Sequence, residues 1–445
     1  MVIETERLGA RAASSPVVRG SLTLVAGVLV GNVLGVGRVA TMAYLLGTHS
    51  KADALAVAIG PIDTLNSVLM NSMVFAFVPL LTGLEGAQRT ALFHKLSRGF
   101  LTVVAAVAAL VLLTAPWLMK ALAPGLDPQY SDSATTVLRI LAFSTIAAGW
   151  GAVRSAMLYT HRRFLPTAFH QAAINLSTIA CAFVLWKFFG LYAFAVGYTA
   201  GAWLQFAILY FSARKVLEPA DGVECDLHWT ELLAKPIFFV VYAAELGLNI
   251  TFTRAYATHA GPGMAAALDY CMRGVGVPLA ILVNPLTNSL LPEIARLKSA
   301  QRIREAYRLI NKTLALAALL ATGGCVFALA FRTPAIRIFF ERGDFTADST
   351  RLVAAVFLGL GPSVVGWGLM EIGARSMFAL DMRWPPVVAA LVPLLLNVAI
   401  TLKMHSLRPE LLGVGASIGL LAGFGVLLVA ERWRGGEQKR VEAEL

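Results

Sequence analysis

The sequence predicts an all-α polytopic membrane protein with about twelve transmembrane helices in two parallel six-helix lobes. Hydrophobic residues make up 58% of the 445 residues and charged residues only 14%, which is too little charge for a soluble protein surface. Apolar stretches of about 20 residues or more recur along the chain, and each is long enough to cross a hydrocarbon core of roughly 30 Å. The second half of the chain also repeats features of the first half.

The apolar stretches divide the chain into two lobes of six spans each. The first lobe, residues 21–213, is predicted to hold spans at approximately 21–46, 53–83, 100–122, 134–159, 164–187 and 191–213. The second lobe, residues 236–431, is predicted to hold spans at approximately 236–258, 264–292, 309–331, 350–379, 384–403 and 411–431. The polar residues 214–235 form the predicted cytoplasmic linker, and residues 1–20 and 432–445 the predicted cytoplasmic tails.

Lysine and arginine residues set the predicted orientation, because loops on the cytoplasmic side carry an excess of both. With the N-terminus and the C-terminus inside, the basic residues fall in the inner loops, including Arg89, Lys95, Arg98, Arg162, Arg163, Arg214, Lys215, Arg296 and Lys298. The outer loop around "FRTPAIRIFFERGDFTADSTR" is an exception that is rich in both signs. This distribution explains the net charge of +11 without a nucleic-acid partner.

The internal repeat appears as matched segments in the two halves. "AAGWGAVRSAMLYTHRRFLP", residues 147–166, resembles "VVGWGLMEIGARSMFALDMRWPP", residues 364–386, and Asn175 and Asn397 follow at equivalent places. Because six spans is an even number, both halves enter the membrane from the same side and form a parallel repeat. Folds of this kind place a substrate site between the halves and work by rocking them.

Two arginines stand inside predicted spans. Arg38 lies roughly eight residues from the outer end of the first span, about 12 Å deep. Arg273 lies at a similar depth in the eighth span, where neighbouring glycines and Pro278 predict a kinked helix. A charge at the bilayer centre costs at least about 2.5–3.5 kcal/mol, so it persists when it is paired, hydrated or functional.

Polar residues at membrane depth concentrate in spans 1, 2, 7 and 8. A net-basic lining of this kind fits an anionic substrate, and the guanidinium fork matches two oxygens of a phosphate. The predicted substrate-binding residues are Arg38, Arg273, Asn32, Arg254, Asn66 and Asn71. Asp63 and Glu245 are candidates for gating or coupling. Bonding between helices is the alternative for each asparagine, snorkelling for Arg254, and mutual neutralisation for Glu371 and Arg375.

No enzyme signature competes with these features. The sequence has no P-loop, no HExxH, no G-x-S-x-G, and no cysteine spacing of a metal site. We therefore expect no catalysis, no cofactor and no metal. Without a nucleotide site, transport would draw on the substrate's own concentration difference or on a gradient. The gradient would be the membrane potential, worth about 2.3 kcal/mol per charge per 100 mV, or that of a monovalent cation.

Several motifs together resemble the MviN/MurJ family of lipid II flippases, which belongs to the multidrug/oligosaccharidyl-lipid/polysaccharide exporter superfamily. "GNVLGVGRV" matches the first-span pattern of the family at Gly35 and Arg38. "KADALAVA" is similar to a second family motif, Asp-Ala-Phe-x-Val-Ala, and matches it at Asp53. "MRGVGVPLAILVNPLTNSLLPEIA" is similar to the eighth helix, with Arg273 and Pro278 in place. "FFERGDFTADST" is close to the family's Glu-Arg-Gly-x-Phe-Thr loop and is the most specific single match.

The resemblance implies a V-shaped alternating-access transporter in the bacterial inner membrane. Its cargo would be an undecaprenyl-pyrophosphate-linked glycan, carried from the inner to the outer leaflet, and its partners the enzymes of cell-wall or polysaccharide synthesis. By the same resemblance, Arg38 and Arg273 would contact the pyrophosphate, and Asp53 would act in gating. Family members also carry two helices beyond the twelfth.

The sequence departs from the family pattern at several polar positions. The family's first-span arginine is Asn32 here, the Asp after the second arginine is Val39, and Asn66 and Asn71 replace charged residues of the second span. These changes leave alternatives open: a flippase for another polyprenyl-linked oligosaccharide, a cation-coupled drug exporter, or a non-transporting scaffold of cell-wall synthesis. The surplus of arginine over acidic residues disfavours the drug exporter. The lack of a large polar loop disfavours a membrane glycosyltransferase.

Overall fold

Helices dominate the structure, a computed structural model that describes the backbone of residues 16–220, 223, 236–404 and 408–444. Side chains are described over the same ranges except at 16–25, 71, 75–76, 236, 288 and 433–444. The first half contains α1 (Pro16–Leu46), α2 (Ser50–Thr82), α3 (Gly86–Leu122), α4 (Pro128–Thr160), α5 (Leu165–Ala168), α6 (His170–Phe189) and α7 (Tyr192–Arg214). The second half contains α8 (Pro236–Ala257), α9 (Met264–Pro278), α10 (Asn284–Ser299), α11 (Ile303–Ala330), α12 (Arg332–Phe340), α13 (Ala347–Leu360), α14 (Ser363–Ala379), α15 (Trp384–Lys403) and α16 (Val414–Glu444).

The predicted all-α membrane fold is confirmed. Eleven helices in the described ranges are long and apolar enough to cross a membrane, or twelve when one bent pair counts as a single span. Those same ranges contain no β-strand. The number of spans therefore agrees with the count of apolar stretches.

The largest differences from the sequence prediction concern two spans. The span expected at 100–122 begins at Gly86, so the basic residues expected in a loop lie on α3. Its first turns are amphipathic. Leu92 and Leu96, four residues apart, form a buried apolar face, and the basic residues Arg89, Lys95 and Arg98 lie in the same turns. The span expected at 350–379 is two helices, α13 and α14, bent by 45°. Pro362 stands at the bend, where its missing N–H removes a helical hydrogen bond.

The helix with Arg273 is interrupted directly after Pro278. Residues Leu279–Val283 form a π-turn that joins α9 to α10 within one candidate span, Met264–Ser299. A proline in a helix and a π-turn both disturb the regular hydrogen-bond ladder, and π-turns are frequent at functional sites. The kink that the glycines and the proline predict takes the form of this turn.

The two halves follow the same backbone path at their turns. Residues with a left-handed backbone occur at equivalent connections, about 215 to 223 residues apart, as a duplicated chain requires. The pairs are Gly47 and Gly263, Gly86 and Gln301, Arg162 and Asp381, and Gly190 and Gly413. The connection after α11 differs, because it carries the additional helix α12, whereas α3 leads to α4 through five residues, 123–127.

The contacts within the chain group it into two compact units that do not coincide with the two halves. Unit 1 comprises Met1–Thr41, Ile62–Leu118 and Thr135–Ile237. Unit 2 comprises Met42–Pro61, Met119–Ala134 and Phe238–Leu445. Unit 2 therefore includes the turn between α1 and α2 and the connection between α3 and α4.

Inside unit 1, a buried arginine lies among aromatic rings. The guanidinium carbon of Arg154 is 4.5 Å from the ring centre of Trp150, 5.0 Å from that of Phe206 and 5.3 Å from that of Tyr210. Nη1 donates to the carbonyl of Trp150 at 2.9 Å and to Oγ of Ser97 at 3.4 Å. Aromatic faces and oxygen acceptors thus hold this cation, which ties α4 to α3 and α7.

Replacing Arg154 with alanine is expected to lower the stability of the purified protein by about 2 kcal/mol or more, because desolvated cation–π contacts have that strength. Thermal unfolding in detergent measures the change. The control is Arg214→Ala, which removes an exposed arginine that lies 5.8 Å from the ring of Tyr210. Equal melting temperatures for Arg154→Ala and Arg214→Ala would contradict the structural role.

Candidate functional site

In unit 1, the arginine of the first span is paired with an aspartate of the second. Nη2 of Arg38 on α1 donates to Oδ2 of Asp63 on α2 at 3.2 Å. The side chain of Arg38 is 9% exposed and that of Asp63 is 37% exposed. The guanidinium is therefore buried, while its partner carboxylate remains accessible.

Tyr198 of α7 completes this group. Its hydroxyl donates to Oδ1 of Asp63 at 2.9 Å, and its ring centre lies 5.7 Å from the guanidinium carbon of Arg38. Both oxygens of Asp63 thus accept a hydrogen bond. Nη1 of Arg38 is buried and has no hydrogen-bond partner among the described residues. A buried donor without an acceptor is costly, so this nitrogen favours a bound anion.

The asparagines of the first two spans have different surroundings. Nδ2 of Asn66 donates to Oγ of Ser144 at 2.9 Å and so links α2 to α4, while its buried Oδ1 accepts no hydrogen bond in the described part of the chain. Nδ2 of Asn32 donates to the carbonyl of Val28 within its own helix at 3.0 Å. The side chain of Asn71 lies outside the described residues. Asn66 therefore bonds between helices, as the alternative interpretation expects.

The equivalent asparagines of the two halves also bond between helices. Nδ2 of Asn175 donates to the carbonyl of Gly31 at 3.0 Å in unit 1. In unit 2, Nδ2 of Asn397 donates to Oδ1 of Asn249 and to Oγ1 of Thr253, both at 2.8 Å. The buried mid-span amides thus satisfy polar groups of neighbouring helices.

In unit 2, Asp53 caps the start of α9. Its Oδ2 accepts from the backbone N–H of Gly263 at 2.6 Å and its Oδ1 from that of Ala266 at 2.8 Å. Asp53 is 3% exposed. A carboxylate at a helix N-terminus satisfies unpaired N–H groups and matches the positive end of the helix dipole. The residue proposed for gating therefore fastens the beginning of α2 to α9.

Further contacts surround this cap and join residues 44–53 to residues 263–270 and 343–349; we call them the turn contact. The hydroxyl of Tyr270 donates to the carbonyl of Gly47 at 2.6 Å, and the backbone N–H of Asp344 donates to the carbonyl of Tyr44 at 3.0 Å. The backbones approach closely, since a Cβ on Gly263 would lie 2.2 Å from the carbonyl oxygen of Thr48. The sequence match at "FFERGDFTADST" falls on this contact.

Arg254 has an acidic partner that the sequence analysis missed. Its Nε donates to Oδ1 of Asp269 on α9 at 2.7 Å, with both side chains largely buried. Gly60 leaves the space for the guanidinium, because a Cβ there would lie 2.4 Å from its carbon. Arg273, four residues after Asp269, is partly buried on α9 before the π-turn. No sequence pattern links Arg254 to Asp269, which are separated by a turn.

Two acidic residues in the spans of unit 2 differ in their partners. Glu371 accepts from Arg375 one helical turn away at 2.5 Å, which confirms the predicted neutralisation. Glu245 is 8% exposed, and its buried Oε2 has no hydrogen-bond partner among the described residues. Within those residues, no group of three or more His, Cys, Asp or Glu is arranged to hold a metal ion.

The geometry can be compared with known proteins. The family model described as lipid II flippase MurJ matches residues 42–443. A probable lipid II flippase MurJ of Rhizobium meliloti (strain 1021) is 26% identical over 424 residues, which cover 88% of this chain and 76% of the relative. The lipid II flippase MurJ of Burkholderia cenocepacia is 27% identical over 428 residues, which cover 91% and 83%.

A solved structure shares the fold. Lipid II flippase MurJ in an inward closed conformation superposes with a TM-score of 0.79 at 20% sequence identity, over 92% of this chain and 87% of the other. This likeness establishes the fold, and the family model establishes the kinship over nearly the whole chain. The chain belongs to the lipid II flippase MurJ family.

Proposed function

We propose that this protein is a flippase that moves lipid II, the undecaprenyl-pyrophosphate-linked peptidoglycan precursor, from the inner to the outer leaflet by alternating access. Membership of the lipid II flippase family supports the reaction. The observation that carries the proposal is Arg38, a guanidinium inside an apolar span with one buried N–H group that has no acceptor in the described residues.

Arg38 has the chemistry that a pyrophosphate requires. Its planar fork presents several N–H donors and can bind two phosphate oxygens at once. Asp63 occupies only one nitrogen of this fork, at 3.2 Å. The second nitrogen is available for a substrate oxygen.

The remaining predicted substrate-binding residues are proposed to have smaller roles than Arg38. Arg273, beside the π-turn, is proposed as a second pyrophosphate ligand on the basis of the family resemblance. Asn32, Asn66 and Asn71 are proposed to offer amide groups to the head group. Arg254 contributes charge that Asp269 partly neutralises. Asn66 and Arg254 rank behind Arg38 because their described contacts also link neighbouring helices.

Gating and coupling are assigned to three acidic residues. Asp53 is proposed to hold the turn contact closed and to release α9 when the carrier opens at that end. Asp63 and Glu245 are proposed to take part in coupling, which draws on the membrane potential or on a monovalent cation. Glu245 suits this role because burial leaves its Oε2 without a partner among the described residues.

The proposed setting is the bacterial cytoplasmic membrane, with both termini in the cytoplasm. The positive-inside rule supports this orientation. A lipid-linked glycan is the cargo, the bilayer is the solvent, and enzymes of cell-wall synthesis are proposed as neighbours that supply and use the cargo. Transport rather than catalysis is the proposed activity.

Complementation of a cell depleted of its own lipid II flippase tests the function. We expect the wild-type protein to restore growth and Arg273→Ala to fail, because the alanine variant lacks a proposed pyrophosphate ligand. Arg273→Lys keeps the charge but loses the fork, so we expect partial growth. Immunoblots of membranes check that each variant accumulates.

The matched control is Arg296→Ala, which removes an exposed arginine paired with Glu293 on α10 and is expected to grow as the wild type does. Failure of a well-expressed wild-type protein would overturn lipid II as the cargo and leave another polyprenyl-linked oligosaccharide. Normal growth with Arg273→Ala would remove Arg273 from the site.

A further inference from the structure

We propose that Asp63 is a built-in counter-anion: it occupies the guanidinium of Arg38 in the empty carrier, and a phosphate of the substrate displaces it. The inference rests on the proposed function, because it concerns the same phosphate-binding arginine. It adds a residue that sets how tightly the substrate binds and how readily it leaves.

The exposures of the two side chains define the order of approach. Asp63 is 37% exposed at its side chain, whereas Arg38 is 9% exposed. An anion from the accessible side therefore meets the carboxylate before it meets the guanidinium. To bind Arg38 with full contact, the anion has to move the carboxylate aside.

The geometry of the Arg38–Asp63 pair favours replacement of the carboxylate by a phosphate. Arg38 and Asp63 share a single hydrogen bond of 3.2 Å, whereas the exposed pair of Arg296 and Glu293 has two, of 2.5 and 2.9 Å. Half of the Arg38 fork thus remains unused and Nη1 is buried without an acceptor in the described residues. A phosphate group can fill both nitrogens, so the exchange replaces one hydrogen bond with two.

Tyr198 gives the displaced carboxylate a place to remain. Its hydroxyl already donates to Oδ1 of Asp63, the oxygen that Arg38 does not contact. When Arg38 turns to a phosphate, this hydrogen bond persists and holds Asp63 beside the arginine. The group of three therefore has two arrangements, one with Asp63 on Arg38 and one with phosphate on Arg38.

The counter-anion also explains how the empty carrier returns. With Asp63 on Arg38, the pair is neutral and no uncompensated charge sits inside the apolar span. With substrate bound, the phosphate supplies the negative charge instead. Competition between Asp63 and the phosphate weakens substrate binding. It also speeds release, because Asp63 binds Arg38 again as the phosphate leaves.

The test measures binding of farnesyl pyrophosphate, a polyprenyl pyrophosphate without a glycan, to the full-length protein in nanodiscs. We expect Asp63→Asn to bind the probe about tenfold more tightly, a typical coupling between two competing ligands. In the Arg38→Ala background, Asp63→Asn is expected to change nothing. Tyr198→Phe is expected to bind the probe more weakly by several-fold, because the displaced carboxylate loses the hydrogen bond from the Tyr198 hydroxyl.

The control is Glu293→Gln, which removes the exposed carboxylate paired with Arg296 and is expected to leave the affinity at the wild-type value. Equal or weaker binding by a folded Asp63→Asn protein would overturn the counter-anion, and so would tightening that persists without Arg38. If Asp63→Asn does not fold, unchanged binding by Tyr198→Phe overturns the proposal. Failure of the lipid II complementation leaves these results intact, because the probe carries no peptidoglycan glycan, and the exchange then applies to another polyprenyl pyrophosphate.

Discussion

Replacing Arg38 with alanine is expected to abolish growth of a flippase-depleted cell and to abolish lipid II movement in reconstituted vesicles, although the protein still inserts. The substitution removes the guanidinium that we assign to the pyrophosphate. It also removes the hydrogen bond from Arg38 to Asp63, while the hydroxyl of Tyr198 still donates to the other carboxylate oxygen. Growth, vesicle transport and the amount of protein in membranes are measured together.

Two further variants separate transport from stability. Arg38→Lys is expected to support slow growth, because an ammonium retains the charge without the two-pronged geometry. Arg38→Ala combined with Asp63→Asn removes both charges, so we expect wild-type thermal stability without transport. Normal growth of the single alanine variant would show that Arg38 does not bind the cargo.

Replacing Asp53 with alanine is expected to give the second large effect, a loss of growth with a loosened turn contact. The carboxylate accepts two buried backbone N–H groups of α9. Each buried donor that loses its acceptor costs about 1–3 kcal/mol, and a helix cap contributes about 1 kcal/mol. Hydrogen exchange at the beginning of α9 measures the loosening, and complementation measures the function.

Two glycines provide a matched pair for the same contact. Gly263→Ala is expected to loosen it as well, because the backbone there has φ of 83° and a Cβ would lie 2.2 Å from the carbonyl oxygen of Thr48. Gly276→Ala is the control, since a Cβ there meets nothing within 4 Å. Unchanged exchange at α9 in both Asp53→Ala and Gly263→Ala would mean that the turn contact does not depend on the cap.

The fold was predictable because the bilayer imposes a simple rule on the sequence: each crossing needs a long apolar run. The boundaries were less predictable where a span continues as an amphipathic helix. Residues 86–99 contain basic side chains, so they suggest a loop, yet buried Leu92 and Leu96 continue α3 through them. The bend at Pro362 depends on how α13 and α14 pack against neighbouring helices, and amino-acid composition does not reveal that packing.

The sequence predicted individual residues of the candidate site, but it did not predict which of them contact each other. Charge at membrane depth identified Arg38 and Asp63 as unusual. Their pairing is a property of two helices, and Tyr198, which joins them, looks like any tyrosine in an apolar span. Asp269 was missed for the same reason, since its significance comes from Arg254 across a turn. Family resemblance identified Asp53, whereas its role as a cap required the backbone of α9.

Because unit 2 combines segments that are far apart in the sequence, its contacts form at different times during synthesis of the protein. Asp53 and Gly263, which meet in the turn contact, are 210 residues apart in the chain. A ribosome that adds about 5–20 residues per second completes Gly263 roughly 10 to 40 seconds after Asp53. During that interval α1 and α2 have been synthesised, but the N–H groups of α9 that Asp53 binds have not. The turn contact therefore cannot form before α9 has been made, well into the second half of the chain.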